Sequence, residues 1–99
     1  MRDYAKISCT LWGSRKFSSL PDDDCRLLYL YLHTCPHVNL VGCYVLRPGY
    51  AVSDLGWDDG DTGLIRYQNC IETLTKANLI GHDRAENLIR IVDFLHHDP

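Results

Sequence analysis

The sequence predicts an α+β domain that is mainly helical, and three observations predict it. Apolar residues recur at helical spacing across residues 62–77. A stretch bounded by Pro21 and Pro36 is apolar on almost every side. Short runs rich in Val, Ile and Tyr lie between turn signals, as strands do. A chain of 99 residues carries one hydrophobic core, because a second would have too little left to bury. Its 45% hydrophobic and 23% charged residues suit a packed domain and not a disordered chain.

Each element has its own signal. In residues 1–20, Ile7, Leu11, Trp12 and Phe17 fall roughly at helical spacing, with Gly13 weakening the run. They predict a short helical or irregular arm packed on the remaining domain, residues 21–99. Ser19-Leu20-Pro21-Asp22 has the form of a capping box with proline in the opening turn. Asp22, Asp23 and Asp24 then complement the helix dipole, and Pro36 stops the helix after about Thr34. Cys25, Leu28 and Leu32 make one stripe, Leu27 and Tyr31 flank it, and Tyr29 and Leu30 lie further round. Such a helix is buried on two faces, by the arm or by a second subunit.

Residues 37–39 predict a turn, 40–46 a strand, and Pro48-Gly49 another turn. Residues 50–57 predict a short helix resting on Val52, Leu55 and Trp57. After the turn Asp58-Asp59-Gly60-Asp61 comes the helix of residues 62–77, which buries Leu64, Tyr67, Cys70, Ile71 and Leu74. Leu79-Ile80 and residues 88–95 predict strands joined by the polar turn of residues 81–87. That order is the winged helix-turn-helix arrangement: three core helices, a small antiparallel β-wing, and here an N-terminal helical arm.

Charge and composition exclude several functions. Ten basic against thirteen acidic residues give −3, which excludes a polybasic surface while allowing a local basic patch. No apolar run approaches the ~20 residues of a membrane helix, and Met1-Arg2-Asp3 opens no signal core. The expectation is a soluble cytoplasmic protein with no membrane partner. The five cysteines, odd in number and widely spaced, read as free thiols in a reducing compartment. Cys35-Pro36-His37, with Cys43 and His33 nearby, lacks paired zinc spacing, and His96-His97 reads as solvated, so neither metal nor cofactor is expected. Cys35 and His37 have no third group to orient them, and Gly56, Gly60 and Gly63 match no phosphate-binding loop. No enzymatic activity is expected.

A resemblance adds to this reading. It is carried by Lys6-Ile7, Leu11-Trp12, Ser14, Phe17 and Leu20, then by Arg26-Leu27-Leu28-Tyr29-Leu30-Tyr31-Leu32 and Thr34-Cys35-Pro36-His37. It continues through Asn39, Gly42, Tyr44, Gly49-Tyr50, Asp54-Leu55-Gly56-Trp57-Asp58, Asn78-Leu79-Ile80 and Phe94-Leu95. These residues resemble the N-terminal domain of phage and prophage replication proteins of the replication-initiation, replisome-organiser or helicase-loader-like kind. The resemblance implies a winged-helix DNA-binding module in a bacterial host cytoplasm. In that family a linker and a partner-handling domain often follow. The chain reaches His97-Asp98-Pro99 about where the linker begins, and it reads as an isolated domain or a short relative.

The expected partner is double-stranded DNA. On the outer side of the helix of residues 62–77 lie Thr62, Ile65, Asn69, Glu72, Thr73 and Lys76, with Arg66 and Gln68 at the edges. Of these, Thr62, Ile65, Arg66, Gln68, Asn69 and Thr73 are the expected base-side contacts. Arg66 suits a guanine, Gln68 or Asn69 an adenine, and Ile65 or Thr73 a thymine methyl. Arg15, Lys16, Lys76, Arg84 and Arg90 are the expected phosphate contacts. Asp58, Asp59 and Asp61 at the helix entrance, and Glu72 on its face, oppose a phosphate, so binding is expected to be weak and salt-sensitive. Asp58 or Asp61 is expected to cap the helix, and Gly60 and Gly63 to weaken its start by about 1 kcal/mol each. A rival reading makes the domain a protein-binding winged helix using Tyr29, Leu30, Asp58, Asp59 and Asp61. Its partner would be a second copy, a replisome protein such as the helicase, or a host nucleic-acid enzyme whose basic channel it blocks.

Overall fold

The computed structural model describes residues 7, 9–36, 38, 42–58 and 60–92. The expectations for Asp59, for most of the turn at 37–39, for the strand start at 40–41, and for residues 93–97 lie outside the described residues. Within them the chain is α+β. A 3₁₀ turn, Cys9–Gly13, leads into α1 (Arg15–Ser18) and α2 (Asp23–Thr34). Then come β1 (Cys43–Val45), α3 (Pro48–Leu55), α4 (Asp61–Lys76), β2 (Ile80–Asp83) and β3 (Leu88–Ile91).

The start of α2 differs from the expected capping box. Asp22 is itself the cap: its backbone is extended, and the Cys25 N–H donates to its Oδ1 at 2.9 Å. Pro21 therefore stands outside the helix, while Asp23 and Asp24 occupy the first turn. The apolar girdle of α2 is satisfied within the chain. Tyr29, with 0% exposure, packs against Phe17 of α1 at 5.9 Å between ring centroids and against His33 at 4.4 Å. Arg26 Nη2 donates to the carbonyls of Ser18 and Leu20, fastening the arm to α2. Leu11, Phe17 and Leu20 thus join the same core as Leu28 and Leu32. Tyr29 cannot serve a partner from that position, which corrects the rival interface at that residue, while Leu30 is half-buried.

Pro48 opens a helix where a turn was expected. Its missing N–H costs nothing at the first helical position, and its ring presets the helical φ. The helix ends on Gly56 at φ +73°, a left-handed cap whose N–H reaches the carbonyls of Val52 and Ser53. Helix α4 begins after Gly60, which makes no side-chain cap, so neither Asp58 nor Asp61 caps it as expected. Instead Asp58 Oδ1 accepts the Gly60 N–H at 3.3 Å and shapes the turn. The buried stripe of α4 is Gly63, Tyr67, Cys70, Ile71 and Leu74, while Leu64 stays 36% exposed. Gly63 takes its place because the chain passes so close there that a Cβ would meet the Asp58 carbonyl oxygen at 1.6 Å. The glycine expected to weaken the helix is what lets the α3–α4 turn close over it.

Strand β3 lies between β1 and β2 in an antiparallel sheet of order β1-β3-β2. Tyr44 pairs with Ile89, and Ile80 with Ile91, so the buried side chains fall on one face. The wing turn is shorter than expected, because Gly81, His82 and Asp83 all belong to β2. Asp83 Oδ1 accepts the N–H groups of Ala85 and Glu86, and Asn87 takes φ +54°, which closes the hairpin in four residues, 84–87. Leu79 lies just outside the strand.

Substituting Gly63→Ala should lower stability by about 1–3 kcal/mol or more, because backbone and not a flexible side chain must give way. Gly49→Ala, in open space within the first turn of α3, should raise stability by about 0.4–1 kcal/mol. Urea unfolding followed by far-ultraviolet circular dichroism reads both changes.

Candidate nucleic-acid interface

Helix α4 buries one stripe against α2 and α3, so the opposite stripe faces solvent. Thr62, Ile65, Asn69, Glu72 and Lys76 are exposed, with Gln68 and Thr73 half-buried at its margins. Among the described residues, the arm packs on α2 and lines neither groove beside this face. Ile65, Gln68 and Asn69 line an open groove of about 550 Å³ together with Asp61, Leu64, Pro48 and Arg84 of the wing turn. A second groove of about 330 Å³ continues toward the end of α4, between Gln68, Glu72, Thr75, Lys76 and the wing residues His82 and Arg84. The fold therefore sets Ile65, Gln68 and Asn69 of α4 beside Arg84 of the β2–β3 turn, with Lys76 in the adjoining groove.

Other expected contacts are placed elsewhere. Arg66 points toward α2, where its Nε and Nη2 donate to the two carboxylate oxygens of Asp24 at 2.8 and 2.6 Å. Its guanidinium also stacks on Trp57, 4.1 Å from the ring centroid. A base contact by Arg66 would require breaking a bidentate pair. The Thr73 hydroxyl donates to the Asn69 carbonyl within its own helix at 3.0 Å, so its methyl rather than its hydroxyl is offered outward. Arg90 lies on the outer face of the sheet beside Cys43 and Gly81, among residues lining a different groove. Arg15 and Lys16 are exposed on α1 and are not among the described residues that line the α4 grooves.

Two exposed residues that the sequence reading did not offer as contacts flank Pro48, which lines the groove. Arg47 is the residue before α3, and its neighbour Leu46 donates its N–H to the Asn87 carbonyl of the wing turn at 2.8 Å. Tyr50 stands in the first turn of the same helix, 56% exposed. Reading Pro48 as a first helical residue would have marked both. Among the described residues, no ion pair engages Arg47, Lys76 or Arg84. Asp61 and Glu72 are also exposed on this surface, so the basic groups are interrupted by acid as the sequence suggested.

The ionisable groups at its edge respond to these contacts. Hydrogen bonding from Arg66 holds the Asp24 carboxyl below its ordinary value of 3.8. Burial lowers the His82 pKa, and the neighbouring Arg84 charge adds to the effect, which favours a neutral imidazole beside the wing turn. Comparison of the chain with family models, with curated proteins and with solved structures returns no match.

The depressed Asp24 pKa fixes the sign of a pH effect. Its contribution to stability is fully present above the unfolded-state value near 3.8 and disappears as pH falls through the lower folded-state value. The wild type should exceed Asp24→Asn in stability at neutral pH by about 1 kcal/mol or less, since both partners are partly exposed. That advantage should vanish in the acid range below 3.8, as read from urea midpoints of both proteins across pH.

Proposed function

We propose that this chain is a winged helix-turn-helix domain that binds double-stranded DNA. Helix α4 enters the major groove and the β2–β3 turn lies against the adjacent backbone. One observation carries the reading: the exposed side chains Ile65 and Asn69 of α4 and the half-buried Gln68 share an open groove with Arg84 of the β2–β3 turn. The order α2-β1-α3-α4-β2-β3 supports it, since a helix-turn-helix followed by a hairpin sets those groups side by side. Gln68 and Asn69 carry the paired donor and acceptor that read adenine, and Ile65 offers an apolar contact to a thymine methyl. Arg47, Lys76 and Arg84 neutralise phosphates. Following the resemblance in its sequence, the domain serves the initiation of phage DNA replication, or its regulation, in the cytoplasm of a bacterial host. Asp61 and Glu72 keep the affinity modest and strongly dependent on salt.

A second reading follows from a specific feature. Tyr50, Leu64 and Ile65 are 56%, 36% and 60% exposed, and they give the groove an apolar rim that also suits a protein partner. In that case a second copy, a replisome protein or a host nucleic-acid enzyme would occupy it, with Asp58 and Asp61 at the edge.

Fluorescence anisotropy with a labelled duplex separates the two. Binding should register at ~50 mM salt and weaken steeply by ~200 mM. Arg47→Ala, Lys76→Ala and Arg84→Ala should each weaken it and reduce the slope of log K against log salt by about 0.9 per lost phosphate contact. Arg90→Ala should leave it unchanged. Absence of binding at ~50 mM, together with a stable dimer in light scattering that Ile65→Asp dissociates, would transfer the assignment to the second reading.

A further inference from the structure

We propose that Asp22, Cys25 and Cys70 form a binding site for a thiophilic divalent cation of the zinc class. Two thiolates and one carboxylate hold it, and solvent supplies a fourth ligand. The site is built between two helices, behind the proposed DNA face and independent of it. Asp22 is the N-cap of α2, Cys25 stands three residues on, and Cys70 projects from the buried stripe of α4. The two sulfurs and a carboxylate oxygen all lie within 4.8 Å of one another.

That spacing is close to what the metal requires. Zinc–sulfur bonds of about 2.3 Å and a zinc–oxygen bond of about 2.1 Å, arranged tetrahedrally, put ligand atoms roughly 3.6–3.8 Å apart. Closure therefore needs a contraction of about 1 Å or less, within the reach of small side-chain rotations. The carboxylate is already oriented, because the Cys25 N–H donates to Asp22 Oδ1 at 2.9 Å. Such an outer hydrogen bond fixes ligand geometry before the metal arrives.

The donor set favours this class of ion, although burial raises both thiols, Cys25 to about 12, so that the metal must displace their protons. Cys25 and Cys70 are buried, while Asp22 is exposed and gives the cation its route and its open coordination position. Two soft sulfur donors select zinc-like ions over magnesium or calcium, which prefer oxygen. Uptake displaces one proton from each thiol to the buffer, leaving two thiolates, one carboxylate and a dication with a net charge of about −1. Arg66 acts on Cys70 with a favourable charge, but its partner Asp24 acts on the same thiol in the opposite sense, so the excess is left to solvent at the exposed Asp22 side. Cys25 and Cys70 lie too far apart in sequence to form a recognisable ligand pair, so only the packing of α2 on α4 reveals them.

Reduced, metal-free full-length chain is titrated with zinc against a chromophoric chelator, and with cobalt to read the sulfur-to-cobalt charge-transfer band. The expected result is one zinc per chain, together with a tetrahedral thiolate cobalt spectrum. Cys25→Ser and Cys70→Ser should abolish both, while Cys9→Ser and Cys43→Ser should leave them unchanged. Asp22→Asn should weaken zinc at least tenfold while keeping the helix cap, since asparagine caps as well as aspartate. That variant decides the matter if a buried serine prevents folding. The proposal is overturned if uptake is not stoichiometric, or if Asp22→Asn binds like the wild type. It is also overturned if the reduced chain ignores the metals and Cys25 and Cys70 merely oxidise to a disulfide in air.

Discussion

Everything about this molecule depends on helix α4 burying a single stripe. Tyr67, Cys70, Ile71 and Leu74 fall on one side of a 3.6-residue repeat, and α2 and α3 together cover only that side. Gly63 extends the stripe to the helix start by letting the α3–α4 turn approach within a distance that no side chain allows. Once that side is fixed, the opposite side must face water, and the hairpin that follows α4 lies beside it. The open groove between Ile65, Asn69 and Arg84 is a geometrical consequence of the core.

The same core covers most of the apolar surface of the first described helices, with Leu27 left 46% exposed. A helix with Cys25, Leu28, Tyr29 and Leu32 all buried must be covered on several sides, and the arm supplies the side that α4 leaves open. Arg26 reinforces this by reaching back to the carbonyls of Ser18 and Leu20. In the same first turn of α2, Asp24 engages Arg66 of α4 through both carboxylate oxygens. The residue best suited by chemistry to read a guanine is thus engaged in positioning α4 on α2. In the proposed function, base contact therefore falls to Gln68 and Asn69.

Much of this was legible in the sequence, for identifiable reasons. Helical periodicity named Tyr67, Cys70, Ile71 and Leu74, and Val- and Ile-rich runs located the strands, because both signals are local. Boundaries were less legible where one residue has two roles. Pro48 after a strand reads equally as a turn or as a first helical residue, and choosing the turn hid Arg47 and Tyr50. Leu64 matched the buried spacing, but Gly63 took the core position through a backbone contact that no periodicity shows. The engagement of Arg66 by Asp24, and the meeting of Cys25 with Cys70, depend on how two helices cross. Neither pair lies within one local segment, so no reading along the chain would join them.

The central claim is that the outward side of α4 and the wing turn together form the surface that a duplex meets. Amide chemical shifts of isotope-labelled protein, followed as a short duplex is added at low salt, test it residue by residue. The account predicts shifts concentrated at Ile65, Gln68, Asn69, Arg84 and Arg47, with the outer sheet around Arg90 and the start of α1 unmoved. Shifts that gather on the sheet around Arg90 or on α1, or spectra that do not change at all, would contradict it.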